Sequence, residues 1–574
     1  MTMRLALAIA LSMVLSVALV GTGCSLSQPP ARGPAPAGPA AVGPPAGPAA
    51  VGSSAAPAPG LPGSAAPLPA RLTPSVTRAA TPELLALGKR LYDVQCAACH
   101  GPGGRGDGEA AYLLYPRPRD FTTGNYRLVS TWERRPTDED LYRTISRGMP
   151  GSAMPSWAHL GEDERWGLVH YIKSLAKEPW TVPPATDPKG EGQMGQGVIR
   201  VPPAPAFTAE ARALALERYA DACASCHGTT GKGDGSEDQK DDLGYPTRPR
   251  DLTVGVFKGS PDPAHLYRRI VAGIPGTPMP MSDWAYGEEA WHLVNLIRSW
   301  SSDSQRQRAE MWKFRIVARR VERLPEHPDS GAWRLTQPVN LHLMPLWWRS
   351  DRPEEITVRA LHDGTRIALL LVWSDATDDD TAMRPQDFRD AVAVQFALTP
   401  DPPFFAMGSR GRHVNIWMWK SERQADLEPA FQDLEKVYPN LGIDSYPNSQ
   451  IPAVEQPTRH ALTLGSDPVF VTGWAAGNIV SDPLRKSPAE DLVAQGFGTL
   501  RARPREAQAL DARGVYATGT YRVMLRRGLA GRGPQAVTLR PGATVPVGFA
   551  VWNGSAGDRD GKKSVTIWQD LVLE

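Results

Sequence analysis

Hydrophobic residues follow three different patterns along this chain. Residues 5–20 are predominantly apolar, and residues 25–80 are almost entirely Pro, Ala, Gly and Ser without periodicity. Between residues 81 and 303 apolar positions recur at spacings of three and four, which is the period of a helix. After residue 304 short runs rich in β-branched and aromatic residues alternate with turn residues, which is typical of strands. The pattern predicts a helical first half and a β-sheet second half.

The helical half contains an internal repeat. The segment Leu91–Gly108 matches Arg218–Gly235, and Asp140–Trp157 matches His265–Trp284, with an offset of about 127 residues. We therefore expect two domains of one fold, at 81–178 and 207–303, joined by a linker at 179–206. The closing helix of each domain is predicted from apolar residues at helical spacing: Trp166, Leu168, Val169 and Ile172 in one, and Trp291, Leu293, Val294 and Ile297 in the other.

Capping residues place the first helices. Thr81 precedes Pro82, which is an N-cap followed by proline at the first helical position, and Thr137 with Asp140 forms a capping box. In the second half, Asp363-Gly364 is a hairpin signal between two strand-like runs. The predicted fold class is multidomain, with two all-α domains followed by an all-β sandwich with few short helices at 304–574.

Composition changes this picture little. A chain of 574 residues is too long for one hydrophobic core. Its 63 basic and 61 acidic residues leave a net charge of +2, which gives no reason to expect a nucleic-acid partner. The Pro/Ala/Gly-rich residues 25–80 cannot build a core and are expected to be a disordered tether.

The N-terminus carries a targeting signal. Arg4 precedes the apolar run, and residues 1–24 are expected to be a signal peptide. The segment LVGTGC resembles a bacterial lipobox, which implies that Cys24 becomes lipidated. Cleavage without lipid and an uncleaved signal anchor are the alternatives. Each of them places the domains outside the cytoplasm, in the periplasm or on the outer cell surface, and the favoured one anchors them to the membrane.

The remaining cysteines point to covalent haem. CAACH and CASCH have the CxxCH spacing of c-type haem attachment, in which two thiols bind the vinyl groups and the histidine ligates the iron. The residues concerned are Cys96, Cys99 and His100 in the first domain, and Cys223, Cys226 and His227 in the second.

A sixth iron ligand is expected downstream of each motif. Met149 and Met154 are available in the first domain, and Met279 and Met281 in the second. Met149 aligns with Ile274, whereas Met154 and Met279 share a Met-Pro setting in the repeat. The repeat therefore favours Met154 and Met279 as axial ligands, with Met281 as a lesser candidate.

These features resemble class I cytochrome c domains: a helix bearing CxxCH, a Gly-rich loop, a downstream Met-Pro and a closing aromatic helix. The resemblance implies electron transfer by two c-type haems. Arg119 and Arg250, in two RPRD stretches, are candidates to bind haem propionates because guanidinium groups pair bidentately with carboxylates. A solvated loop with surface arginines is the alternative.

Two stretches of the second half, FFAMGSRGRHVNIWMWK and Ala476–Leu500, resemble the haem-b subunit family that includes the ethylbenzene dehydrogenase gamma subunit. The resemblance implies a β-sandwich that holds one non-covalent haem between a methionine and a lysine, here Met407 and Lys486. It also implies a molybdenum and iron–sulfur oxidoreductase as redox partner. His413 and Met418 are reserve ligands, although alternation along the strand puts Met418 with Val414 and Ile416, most simply in the core.

The favoured hypothesis is an extracytoplasmic multihaem electron-transfer subunit with two haems c and one haem b, in which case the chain has no substrate-transforming site. A dihaem peroxidase is one alternative, although it would need an open distal position on one haem. The other is a dihaem cytochrome whose sandwich binds carbohydrate or protein, with Trp417 and Trp419 as an exposed stacking platform.

Overall fold

The computed structural model describes residues 65–68, 70–189, 194–404, 407–427, 432, 437–440 and 485–574. Ten helices are found there: α1 (Pro82–Gln95), α2 (Ala97–His100), α3 (Asp138–Arg147), α4 (Glu162–Ser174), α5 (Ala209–Ala222), α6 (Ala224–His227), α7 (Pro263–Ala272), α8 (Glu288–Ser299), α9 (Asp303–Arg308) and α10 (Ser421–Ala425).

Domain 1, which contains α1 to α4, starts at the predicted cap. The Thr81 side chain accepts a hydrogen bond from the backbone of Leu84, and Thr137 and Asp140 form the reciprocal capping box at α3. Helices α1 and α4 cross at Gly88 and Gly167, where a Cβ on Gly88 would lie 2.0 Å from the Gly167 carbonyl oxygen. Two glycines therefore allow the first and last helices of the domain to touch.

Domain 2, which contains α5 to α8, repeats this plan. Tyr92 donates a hydrogen bond to the Gly101 carbonyl at 2.7 Å, and Tyr219 donates one to Gly228 at 2.9 Å. Each tyrosine thus ties its N-terminal helix to the turn that follows CxxCH. The prediction of two all-α domains is confirmed.

Sixteen strands lie in the described residues: β1 (Gln239–Lys240), β2 (Pro246–Thr247), β3 (Arg315–Arg320), β4 (Val339–His342), β5 (Met344–Pro345), β6 (Glu355–His362), β7 (Arg366–Ser374), β8 (Ala391–Ala397), β9 (Val414–Lys420), β10 (Ala489–Ala494), β11 (Arg501–Ala502), β12 (Asp511–Tyr516), β13 (Thr520–Gly528), β14 (Thr544–Trp552), β15 (Ser564–Val565) and β16 (Gln569–Leu573). Strands β1 and β2 form a small ribbon in domain 2.

The other fourteen strands form one continuous sheet. Its main path runs β11-β10-β9-β8-β14-β16-β3-β6-β7-β13-β12. The pairs β16–β3 and β3–β6 are parallel, and the remaining pairs are antiparallel. The sheet folds over on itself and brings distant strands together: Trp419 of β9 packs edge-on against Trp373 of β7 and Tyr521 of β13. We call this C-terminal part the sheet domain; its β-sandwich fold class is confirmed.

Alternation along β9 separates two environments. Trp417 and Trp419 are 0% and 1% exposed and lie in the core of the sandwich. Ile416 and Met418 point to the opposite face of the sheet, together with small residues of β8 and β14. The idea that Trp417 and Trp419 form an exposed stacking platform is therefore wrong. Met418 packs with Val414 and Ile416 in a second buried cluster, on the face that alternation predicts.

Domain 1 packs directly on the sheet domain. The backbone of Tyr115 accepts a hydrogen bond from Trp348 at 2.7 Å and donates one to Leu346 at 2.9 Å, and the rings of Tyr115 and Trp347 lie 5.3 Å apart. Arg147 at the end of α3 pairs with Glu310 in the connection to the sheet domain. In the described part of the chain, no helix has the length and apolarity to cross a membrane.

Candidate functional site: three cavities

The first cavity lies inside domain 1. Cys96, Cys99, His100 and Met154 all line it, as the CxxCH and Met-Pro motifs predict for a haem c site. Helix α2 is a single turn that carries both the second cysteine and the histidine. His100 Nδ1 lies 3.0 Å from the Arg119 carbonyl oxygen and donates to it, which leaves Nε2 for a metal. Burial lowers the pKa of His100 to about 4, so the imidazole is neutral, the state that binds iron.

The second cavity is its counterpart in domain 2. Cys223, Cys226, His227 and Met279 line it, whereas Met281 does not. Burial lowers the pKa of His227 to about 4 as well.

The two methionine loops are built alike. The backbone N–H of Met149 donates to the Met154 carbonyl at 3.0 Å, and that of Ile274 donates to Met279 at 3.2 Å. Each loop follows a glycine at positive φ, Gly148 or Gly273, where a Cβ would collide with the proline after the methionine. Met149 and Ile274 take equivalent places on the cavity walls. Met149 lines the first cavity as Met154 does, so the shared Met-Pro setting of the repeat, rather than the lining, favours Met154 and Met279 as the axial residues.

Cations line the region between these two cavities. Arg119 lines the first cavity, donates to Asp242 at 3.1 Å, and keeps its second terminal nitrogen buried without a protein partner. Arg250 lines both cavities and donates to the Gly151 carbonyl of domain 1 at 2.5 Å. Burial lowers the pKa of Arg250 to about 9. Such unmatched guanidinium groups fit propionate carboxylates.

Lys258 is a site residue that the sequence analysis missed. It lines both cavities, and burial holds its pKa well below the ordinary lysine value. Its segment, VFKGS, has no motif, and only the packing of one domain against the other reveals its place.

The third cavity lies between domain 1 and the sheet domain and measures about 560 Å³, within the range of cofactor sites. Its floor is the outer face of β8, β9 and β14, where Ala393, Gly548 and Ala550 leave room above the sheet. Its roof is domain 1. The roof residues are Cys99, Ala110, Tyr112, Leu113, Leu114 and Ala153.

Met407 and Lys563 face each other in the third cavity, with Met407 Sδ 3.5 Å from Lys563 Nζ. Lys563 is only 6% exposed, and burial lowers its pKa to about 8. Met407 has a φ of 64°, the left-handed region that side chains other than Gly, Asn and Asp avoid. A thioether carried on a strained backbone turn and a desolvated amine, both on an apolar cavity, are ligand types that haem iron accepts. These residues fit a haem.

The structure does not bring Lys486 to this cavity. Lys486 is exposed and lies just before β10, so its amine is solvated. Lys563 takes the place in the cavity, facing Met407, that was predicted for Lys486. Of the reserve ligands, Met418 lines the cavity and His413 does not. Residues 476–484 of the second resemblance block, and Cys24, lie outside the described residues.

Paired CxxCH motifs, each with histidine and methionine on one cavity, are the arrangement expected of cytochrome c domains. The comparisons with known families agree. Residues 83–172 match the family described as cytochrome C oxidase, cbb3-type, subunit III, residues 215–301 match cytochrome c, and residues 337–564 match ethylbenzene dehydrogenase. The chain thus joins two cytochrome c domains to a domain of the ethylbenzene dehydrogenase family, and its domains are those of electron-transfer haem proteins.

Three similar proteins each match about two fifths of this chain. A Haloferax mediterranei protein provisionally named respiratory nitrate reductase heme subunit ORF7 is 25% identical over 43% of this chain and 68% of its own length. Chlorate reductase subunit gamma of Ideonella dechloratans is 24% identical over 38% of this chain and 64% of its own length. A solved chain of the Kuenenia stuttgartiensis reducing HAO-like protein complex Kustc0457/Kustc0458 is 34% identical over 40% of this chain and 100% of its own length, with a TM-score of 0.35.

Proposed function

We propose that this protein is an electron-transfer subunit that carries two haems c and one haem b. The haems c are bound through Cys96, Cys99, His100 and Met154 in domain 1, and through Cys223, Cys226, His227 and Met279 in domain 2. The haem b is held by Met407 and Lys563, whose side chains would move apart from their 3.5 Å contact to admit the iron. The protein exchanges electrons with another redox protein and does not itself transform a substrate.

The pairing of Met407 with Lys563 carries this proposal. Most lysines remain solvated and charged, yet Lys563 is buried, faces a thioether sulfur at 3.5 Å and lies over the Trp552 ring. An amine ligates a metal only in its neutral form, and burial favours that form. A haem b here gives a role to a buried amine whose contacts in the described residues are a thioether sulfur and an indole ring.

The setting of the protein follows from its domains and relatives. Haem c domains suit an extracytoplasmic compartment, and lipidation of Cys24 would anchor the chain to a membrane there. Two of its relatives are named as subunits of nitrate and chlorate reductases. We therefore propose a molybdenum oxidoreductase or a similar respiratory complex as the redox partner.

Haem content tests the proposal. Purified protein should contain three haems per chain, of which one extracts into acidified organic solvent and two remain covalently bound. Lys563→Ala should lose the extractable haem or convert it from a low-spin to a high-spin spectrum, because one axial ligand is missing.

Two other lysines provide matched controls. Lys562→Ala removes an amine that donates to the Ala556 carbonyl at 2.6 Å, and Lys486→Ala removes an exposed one. Both variants should keep the extractable haem and its spectrum. Covalent haem alone in the natural protein, or an unchanged spectrum in Lys563→Ala, contradicts the haem b site. Intact haem c spectra in Lys563→Ala show that the variant has folded.

A further inference from the structure

We propose that the haem of domain 1 lies between the other two haems. Electrons then pass between domain 2, domain 1 and the sheet domain in that spatial order. The order along the chain is different, since domain 2 lies between the other two in sequence. This inference rests on the proposed function, because it requires all three haems, and it adds the path between them.

The first junction joins domain 1 to the sheet domain. Cys99, Leu114, Ala153 and Phe404 line both the domain 1 cavity and the third cavity. Cys99 is the residue that would bond the vinyl edge of the domain 1 haem. That edge therefore meets the wall of the haem b cavity, with one layer of side chains between the two.

Backbone contacts hold this junction in place. The hydrogen bonds of Tyr115 with Leu346 and Trp348 join the domain 1 loop to the sheet domain as an additional bridge. Gly561 of the sheet domain is packed against Leu113, where a Cβ would lie 3.3 Å from Leu113 Cδ2. Main-chain hydrogen bonds and this close contact thus help to fix the separation of the two cavities.

The second junction joins the two cytochrome c domains. Arg250 and Lys258 belong to domain 2, yet both line the domain 1 cavity as well as their own. Arg127 lies beside them, pairs with Asp241 at 3.3 Å and donates to the Gly276 carbonyl at 3.1 Å.

The cations between the two cytochrome c cavities form a group whose positive charge could pair with the propionates of two haems. Its cations are Arg119, Arg127, Arg250, Lys258 and Arg269. Asp242 and Asp241 form salt bridges with Arg119 and Arg127, and Glu354 and Asp140 act on Arg250 and Arg269 from the edge of the group. The excess positive charge is buried where the two cavities meet. Propionates of both haems would neutralise it, which brings the propionate edges of the two haems together.

The two outer cavities have no shared wall. Within the described ranges, no residue lines both the domain 2 cavity and the third cavity. When one electron moves from a ferrous haem in domain 2 to the ferric haem of domain 1, the first haem becomes ferric and the second becomes ferrous. A second transfer returns the domain 1 haem to the ferric state and reduces haem b. No bond is made or broken, so the rate depends on edge separation and on the potentials.

The equivalent methionines allow a matched test. Met154→His and Met279→His each keep a six-coordinate haem and lower its potential, because a thioether ligand favours ferrous iron. Electrons are supplied to the fully oxidised protein by pulse radiolysis, below one per chain, and reduction of haem b is followed at its own α band.

Only a lower potential of the domain 1 haem should slow the transfer of electrons from the domain 2 haem to haem b. Each drop of about 59 mV in the potential of an intermediate makes its reduction tenfold less favourable. Met154→His should therefore slow the transfer from the haem of domain 2 to haem b at least about tenfold. Met279→His instead lowers the potential of the donor haem, which adds driving force, so the transfer from that haem to haem b should be faster than in the natural protein. Equal slowing by both variants, or by Met279→His alone, overturns the proposed order.

Paramagnetic coupling provides a measurement without substitution. In the fully ferric protein, electron paramagnetic resonance should show spin–spin interaction of the domain 1 haem with both others, and none between domain 2 and haem b. Coupling between the two outer haems rejects the order. An absence of extractable haem instead rejects the proposed function, so the two failures are distinguishable.

Discussion

Glu310→Gln should loosen the packing around domain 1. Arg147 Nε donates to Glu310 Oε2 at 2.7 Å, a second guanidinium nitrogen donates to Oε1, and the third reaches the Gly259 carbonyl of domain 2. The two side chains are 8% and 9% exposed. Removal of one partner of a buried ion pair costs about 3–5 kcal/mol, because the other charge stays buried and unpaired. Glutamine keeps the shape and one acceptor, so we expect the lower end of this range.

Scanning calorimetry of the haem-loaded protein measures the effect. At about 4 °C per kcal/mol for a domain of this size, the domain 1 transition should fall by about 10 °C or more. Glu139→Gln is the control, because Glu139 pairs with Arg143 on the same helix α3 but is 51% exposed. Such an exposed pair contributes only about 0.3–0.5 kcal/mol. If the two variants unfold at the same temperature, the pair with Arg147 does not hold the domains together.

Two further predictions concern charge and anchoring. In the haem-loaded protein the propionates favour the charged form of Lys258. Lys258→Met should therefore lower the potentials of both haems c in a spectroelectrochemical titration, because a cation stabilises the reduced haem. A unit charge about 10 Å away at an effective dielectric of 20 contributes about 1.7 kcal/mol, or roughly 70 mV. The control Lys240→Met changes an exposed lysine of β1 and should shift neither potential. If Lys258→Met shifts the potential of only one haem c, Lys258 does not lie close to both haems. Cys24→Ala should abolish incorporation of labelled fatty acid and release the protein from the membrane fraction, and unchanged labelling argues against lipidation.

Local signals in the sequence predicted much of the helical half. The spacing of CxxCH places thiols and imidazole on one helical turn, so the motif carries its own geometry. The repeat separated Met154 and Met279 from Met149 and Met281, and the structure places both favoured residues on their cavities and leaves Met281 off.

Residues that depend on packing between distant segments were not predicted. Lys563 stands in GKKS, a turn like many others, and only its burial under domain 1 distinguishes it from Lys562 and Lys486. Alternation along β9 was recognised, but sequence alone did not decide which face is the core. Both faces of β9 are buried: Trp417 and Trp419 lie in the core of the sandwich, and Val414 and Ile416 belong to a second cluster on the other face.

The register of β9 therefore determines two things at once. Trp417 and Trp419 fill the sandwich, while Ile416 and Met418 line the third cavity from the other side of the same strand. A slip of one residue against β8 would turn both indole rings into the cavity and leave a void in the core. Strand pairing that is wrong by one position could not admit a large planar cofactor, so incorporation of the cofactor would select correctly folded chains during biogenesis.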